Sequence, residues 1–293
     1  MRTLYKAGNS ICTQKVLITL REKGLQWEEH NINLFLNQQY DPAYLKLNPK
    51  GVVPTLVDDD IAIIESTLIC EYLDDRYPEP SLRPADAALR ARMRLWGKAI
   101  DEGIFEATRE ISFSAMFREK MKAMSEEQRA ARFRNVGDPQ KRDRFMSVYA
   151  EGTDSRFVLY AVAAYEKLFK SMQDSLIEHG GPWLMGAQFT LADINVMPFV
   201  ARLNYLNLLD VWTDARPEVM RWWSLVQQRP SFQFAVTEAT LPDEVAAMHT
   251  HGSHIKAAIR QRRQEFLDDV KTRSEEHTSE LQSRQYLVCR LLL

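Results

Sequence analysis

The run Asn48-Pro49-Lys50-Gly51-Val52-Val53-Pro54-Thr55-Leu56, followed shortly by Glu65-Ser66-Thr67-Leu68-Ile69-Cys70-Glu71-Tyr72-Leu73, constrains this chain more than any other feature. A loop delivers a proline directly before a buried-type strand at 55–57. The acidic turn Asp58-Asp59-Asp60 then reverses the chain, Ile61–Ile64 returns as a second strand, and Glu65-Ser66 opens a helix. This order describes a slot shaped for a peptide. Val53 presents its backbone beside the slot, where an extended ligand pairs as an added strand. Ser66 offers a hydroxyl and the free N–H groups of a helix start, which attract a carboxylate. Glu65 takes an ammonium. The plainer alternative for each motif alone is a trans proline at a loop end and Ser66 as an N-cap; the two together at this spacing favour the slot.

The elements around the slot set the fold class. Residues 2–6 read as a strand, and residues 11–23 carry Val16, Leu17 and Leu20 on one helical face, with Gly24 as the stop. Residues 26–32 read as a second strand of poor alternation. The resulting β-α-β, β-β-α order predicts an α/β thioredoxin-like N-terminal domain with a mixed four-stranded sheet, its parallel half needing the first helix as crossover. Tyr77-Pro78-Glu79-Pro80-Ser81-Leu82-Arg83-Pro84 is dense in proline and reads as a linker. Beyond it the pattern is helical, with Leu89, Met93, Trp96, Ile100 and Ile104, and again Val158, Tyr165, Leu168, Met172 and Leu176, recurring at threes and fours. Thr190 and Asp193 form a capping box, Pro217 and Pro230 punctuate later helices, and a last helix is expected over 243–269. The expected division is 1–77 for the sheet domain, 78–84 for the linker and 85–272 for an all-α helical domain. Residues 273–293 are set aside, because Arg273 to Ser283 looks like the translated adapter of a sequencing library.

Composition excludes several classes. The 293 residues are 45% hydrophobic and 27% charged with a net charge of -2, which gives no general pull toward nucleic acid or an anionic membrane. No run reaches transmembrane length, and residues 1–4 lead into a strand without a signal peptide's apolar core. Cys12, Cys70 and Cys289 cannot make a disulfide framework, so a reducing, cytoplasmic setting is expected. His249, His251 and His254 cluster without a cysteine or carboxylate beside them, and no metal site is expected there.

A ligand with an α-amino acid head and an extended thiol-bearing middle fits the slot, and from about Leu4 to Ala239 the chain resembles the cytosolic glutathione transferases. The resemblance implies that Pro54 is cis, that Glu65 and Ser66 grip a γ-glutamyl group, and that Val53 pairs with the backbone of glutathione, the cosubstrate. Lys50, with Gln38 or Gln39 behind it, would meet the glycine carboxylate at the slot's far end; Lys50 as a solvated loop lysine is equally open. The pattern is most similar to bacterial β-aryl-ether-cleaving members, through Asn9-Ser10, Glu22-Lys23-Gly24-Leu25, Glu65 to Leu73 and Ser81 to Asp86. A homodimer is implied by the resemblance alone.

A free thiol is mostly protonated at neutral pH, so such an enzyme must stabilise the thiolate. Ala7-Gly8-Asn9-Ser10-Ile11-Cys12 leads into the first helix, whose dipole points at the slot. Ser10 is the candidate hydroxyl donor to the sulfur, with Asn9 as second choice. Ser10 as a helix cap competes with that role. Cys12 opens a different chemistry, mixed-disulfide exchange, against the plainer reading of a small buried residue; Cys70 reads as core. Phe105, Ile111, Phe113, Met116 and Phe117 are expected to line a pocket for a small apolar or aromatic electrophile, or to be helix packing. Residues 119–152, rich in Arg129, Arg132, Arg134, Lys141, Arg142 and Arg144, read as a solvated surface or as a lid facing an anionic ligand. The expected activity is a glutathione S-transferase acting on an apolar electrophile, by ether cleavage or dehalogenation among other displacements. The rivals are a binding module that has lost turnover and a thiol oxidoreductase working through Cys12.

Overall fold

The computed structural model describes residues 2–134 and 136–291; the side chains of Phe35 and of 274–291 lie outside that description. Strand β1 (Arg2–Lys6) leads into α1 (Ile11–Glu22), β2 (Glu28–Asn31), the single turn α2 (Pro42–Leu45), β3 (Thr55–Asp58), β4 (Ile61–Ile64) and α3 (Ser66–Arg76). The sheet order is β2-β1-β3-β4, with β1 parallel to β2 and the other two pairings antiparallel. Leu4 sits opposite Leu56 in the central pair, and both are fully buried. Strand β2 is exposed at all four positions, because it forms the sheet edge; this is why its sequence shows no alternation. Gly24, at φ +62, ends α1 in the left-handed region that costs glycine least.

The second domain opens with α4 (Ala87–Ala99), α5 (Phe105–Ser112) and α6 (Arg118–Lys122), joined through wider π turns at Ile100–Ile104 and Phe113–Phe117. Then follow α7 (Glu126–Arg134), α8 (Pro139–Glu151), α9 (Arg156–His179), α10 (Leu191–Tyr205), the short α11 (Asp210–Thr213), α12 (Pro217–Gln227), the turn α13 (Pro230–Phe232) and α14 (Pro242–Leu291). The last helix therefore runs on past the expected 243–269. Gly252 lets α14 lie against the end of α10, since a Cβ there would stand 1.8 Å from the Leu206 carbonyl oxygen. Among the described residues, no helix is long and apolar enough to cross a membrane.

The core is continuous across both domains, with Val16, Leu20 and Leu56 in the same apolar cluster as Tyr165, Phe199 and Trp222. The capping box of α10 forms, and its carboxylate does more than cap. Asp193 accepts from the Thr190 N–H at 3.0 Å, the Leu184 N–H at 3.0 Å and the Trp222 indole N–H at 2.8 Å. Full burial pushes its carboxyl up to about 6.

Two of the sequence pieces that carried the family resemblance, Glu22 to Leu25 and Ser81 to Asp86, meet at Asp74 near the end of α3. The Lys23 ammonium, fully buried, pairs with Asp74 at 2.5 Å and donates to the Pro80 carbonyl at 2.6 Å, while Asp74 accepts the Leu82 N–H at 2.9 Å. Glu22, one residue before Lys23, accepts from Arg229 of the helical domain at 3.0 and 2.6 Å. One turn of α1 thus ties the interdomain segment and the second domain to the sheet, which fixes how the two halves of the cleft face each other.

Candidate functional site

The cleft is built where two helix starts converge. At the start of α3, Glu65 adopts φ +70, a left-handed conformation that a non-glycine residue holds only at a cost of about 1–3 kcal/mol. This turn places Ser66 as the first helical residue, buried, with its hydroxyl against the Cys12 thiol in the first turn of α1. The free N–H groups of α1 and α3 are thereby brought to one spot. The Val53-Pro54 peptide bond is cis. Ahead of it, Tyr44 and Asn48 hold the Val52 carbonyl at 2.6 and 2.8 Å and bond the Thr55 hydroxyl, both at 3.0 Å. Val53 itself uses neither its N–H nor its carbonyl in any hydrogen bond among the described residues. An extended ligand finds that edge unpaired.

Ser10 occupies the N-cap of α1, and its oxygen accepts the Thr13 N–H at a long 3.4 Å. Capping and thiolate binding were expected to compete for this hydroxyl. They do not, because the cap occupies a lone pair while a thiolate would take the O–H, and that proton has no acceptor among the described residues. Asn9 contributes its carbonyl to the geometry of the loop, where it accepts from Arg202 of α10 at 3.0 Å.

Lys50, read as a partner for a ligand carboxylate or as a solvated loop lysine, is exposed and pairs with Glu65. Its ammonium lies 2.7 Å from the Glu65 carboxylate, so Glu65 has a cation of the protein's own within reach. Gln38 accepts the Asn33 N–H at 2.8 Å in a local turn, and Gln39 is buried with its amide oxygen unpaired. Cys12 is pushed above the ordinary thiol range chiefly by burial, which outweighs the opposing Lys15 charge and Ser66 hydroxyl, so its thiol stays protonated at neutral pH. Cys70 is core, pushed up to about 11 by burial.

Of the residues expected to line the electrophile pocket, Ile111 and Phe113 are instead packed in the core, Phe113 edge-on to Phe145 with centroids 5.2 Å apart. The π turns rotate the helical face, which leaves Phe105 and Phe117 exposed and Met116 half-buried. Several cations of 119–152 are spent on the protein. Arg129 and Arg142 donate to the Met124 and Val136 carbonyls, and Arg144 pairs at 2.5 Å with Glu110, whose burial pushes its carboxyl up to about 7. His251 and His254 meet only edge to face, centroids 6.2 Å apart, and no metal-holding cluster occurs among the described residues.

Sequence reasoning missed Lys15. It is fully buried on α1, donating at 2.6 Å to the Thr67 hydroxyl, which in turn donates to Asp101 at 3.0 Å. A lysine at an inward position between Cys12 and Thr19 was the available signal. Tyr44, Asn48 and Arg202 were missed because each holds a loop carbonyl, that of Val52 or Asn9, and a backbone partner leaves no residue pattern.

Comparison with known proteins decides the family. Residues 4–81 match the model for the glutathione S-transferase N-terminal domain, and residues 127–222 match the model for its C-terminal domain. This chain is a member of the glutathione S-transferase family. It is 31% identical over 239 residues to Protein LigF of Sphingobium sp. strain SYK-6, covering 78% of this chain and 91% of that protein. It is 30% identical over 235 residues to glutathione S-transferase Z2 of Arabidopsis thaliana, covering 80% and 90%. The crystal structure of the beta-etherase LigF superposes with a TM-score of 0.69 at 27% identity, over 81% of this chain and 99% of that one. The transferase therefore has the four-stranded mixed sheet and helical second domain of its family, a family that uses glutathione as cosubstrate.

Proposed function

We propose that this transferase binds glutathione along Val53 with its γ-glutamyl head at Glu65 and Ser66, holds the thiolate with the Ser10 hydroxyl, and delivers it to the carbon of an aryl ether or similar apolar electrophile. What supports the reading is the free O–H of Ser10 at the start of α1, together with the unpaired Val53 edge and the Ser66 hydroxyl, which lies against Cys12 two residues beyond Ser10. On binding, the ligand's ammonium replaces that of Lys50 at Glu65, which releases Lys50 for a ligand carboxylate. A thiol needs only a shift of its proton equilibrium and a fixed approach, and a charge-assisted hydrogen bond supplies the first. The sulfur then forms a bond to the electrophilic carbon while the C–O bond breaks, the electron pair leaving on the aryloxide, which takes a proton from solvent.

The name of LigF supports ether cleavage among the possible displacements, and the exposed rings of Phe105 and Phe117 support an aromatic partner. The reading extends to a homodimer in the cytoplasm; the exposed Leu68 of α3 and Leu95 of α4 offer an apolar face for the dimer. The oxidoreductase reading loses support, since a thiol raised above its ordinary range is a poor nucleophile.

The test is turnover of reduced glutathione with a panel of aryl halides, β-aryl ethers and epoxides, alongside calorimetric titration of glutathione. Conjugate formation with release of phenol from the ethers is expected. Glutathione binding without conjugation of any member would leave the binding module as the reading, and no binding at millimolar ligand would overturn the site.

A further inference from the structure

Ser10 belongs to the first domain, yet the peptide unit that carries it is held from the second. The Asn9–Ser10 peptide is planar, so its carbonyl and N–H point in opposite directions. Both ends are pinned. The Ser10 N–H donates to the Ala7 carbonyl at 3.0 Å, and the Asn9 carbonyl accepts from the Arg202 guanidinium at 3.0 Å. With that plane fixed, the remaining freedom of Ser10 is its own φ and ψ, observed at -62° and 118°, and these aim its side chain at the start of α1.

Arg202 is an unusual clamp. It stands on the last turn of α10, the helix anchored by the buried Asp193 capping box, and it has no carboxylate within ion-pair distance among the described residues. The groups facing it are Tyr165 of α9, Tyr205 of its own helix and Glu244 of α14, and each is engaged elsewhere. Tyr165 bonds Thr108 at 2.5 Å, Tyr205 bonds Thr237, and Glu244 accepts the Leu241 N–H at 3.2 Å. Burial depresses the Arg202 pKa from the ordinary arginine value, yet a guanidinium stays charged at any working pH. Arg202 is half-buried, and a cation that gives up part of its hydration without a carboxylate partner is costly unless something uses it.

We infer that Arg202 is a positioning residue for thiolate formation: it fixes the Asn9–Ser10 peptide from across the domain boundary, and its uncompensated charge favours an anion at the Ser10 hydroxyl. The inference rests on the reading of Ser10 as the thiolate's partner. It makes the second domain part of the thiol-activating apparatus in addition to its place in the electrophile pocket.

The experiment compares Arg202→Met, Arg202→Lys and Ser10→Ala in the full chain. It follows the pH profile of kcat/KM with 1-chloro-2,4-dinitrobenzene, and the ultraviolet thiolate absorbance of bound glutathione. Arg202→Met is expected to lower kcat on the order of tenfold to a hundredfold through misplacement of the hydroxyl, with KM for glutathione changed less than threefold, roughly, because the slot itself is untouched. The acid limb of the profile and the thiolate titration should both move to higher pH, and Arg202→Lys, which keeps charge and a donor, should recover most of both. If Arg202→Met folds and leaves kcat and the acid limb unmoved while Ser10→Ala collapses them, the Arg202 role is wrong and the Ser10 reading stands. If Ser10→Ala itself moves neither, the Ser10 reading fails and takes the inference with it. If Arg202→Met does not fold, Arg202→Lys decides alone. A folded lysine variant that still releases the loop, with kcat down, would oppose the charge role, and one with a wild-type acid limb would sustain it.

Discussion

Replacing Ser10 with alanine separates two jobs that one oxygen performs, and the structure gives each a different size. The cap job is small. A cap normally contributes about 0.5–2 kcal/mol, and the 3.4 Å contact to the Thr13 N–H is at the outer limit of a hydrogen bond, so Ser10→Ala should cost the fold about 0.5 kcal/mol. The donor job is larger. A hydrogen bond to a charged group contributes about 1.5–3 kcal/mol, and at 1.36 kcal/mol per decade its loss raises the bound thiol's pKa by about one to two units. At neutral pH the thiolate population, and kcat/KM with it, should fall about tenfold to a hundredfold. Denaturant unfolding measures the first quantity; the pH dependence of conjugation together with thiolate absorbance measures the second. The expected result is a nearly unchanged unfolding midpoint beside an acid limb moved by at least about one unit. A variant destabilised by more than about 2 kcal/mol with an unmoved acid limb would refute the reasoning, since the hydroxyl would then be a cap and nothing more.

Other outcomes follow from the same geometry. Asp193→Ala strands three buried donors, those of Thr190, Leu184 and Trp222, and at about 1–3 kcal/mol each the loss should reach at least about 3 kcal/mol in chemical denaturation; a loss below about 1 would mean the site relaxes or hydrates. Glu110 is raised from 4.5 to about 7 by burial, so the folded state binds its proton more tightly than the unfolded chain. Its contribution to stability is therefore full below pH 4.5 and is lost as pH rises through about 7, a swing of about 3 kcal/mol that Glu110→Gln should flatten in unfolding curves taken across that window. A chain ending at residue 272 should keep its melting temperature and its glutathione conjugation rate, because residues 271–273 are exposed and, among the described residues of α14, the buried ones (Met248, Gly252 and Ile259) lie well before the cut.

Several parts of this protein were legible because their information is local. A proline ahead of Thr55, an acidic reversal and a Glu-Ser opening are each consecutive residues, so the strand pair and the α3 start can be read from them. The apolar spacing of α9 and the Thr190-Asp193 box belong to the same kind, since helical periodicity and capping act within a turn or two. What tertiary structure alone decided is the identity of partners far apart in the chain. Lys50 and Glu65 come together because the loop and the α3 start fold to the same rim. The π turns rotate Ile111 and Phe113 into the core and leave Phe105 and Phe117 outside, a change of face that a regular helical repeat does not foresee. Arginines of 119–152 find carbonyls and Glu110, and Arg202 finds a backbone oxygen 193 positions away in sequence. Backbone atoms carry no residue-specific signature, so a hydrogen bond to one is invisible until the two segments are seen side by side.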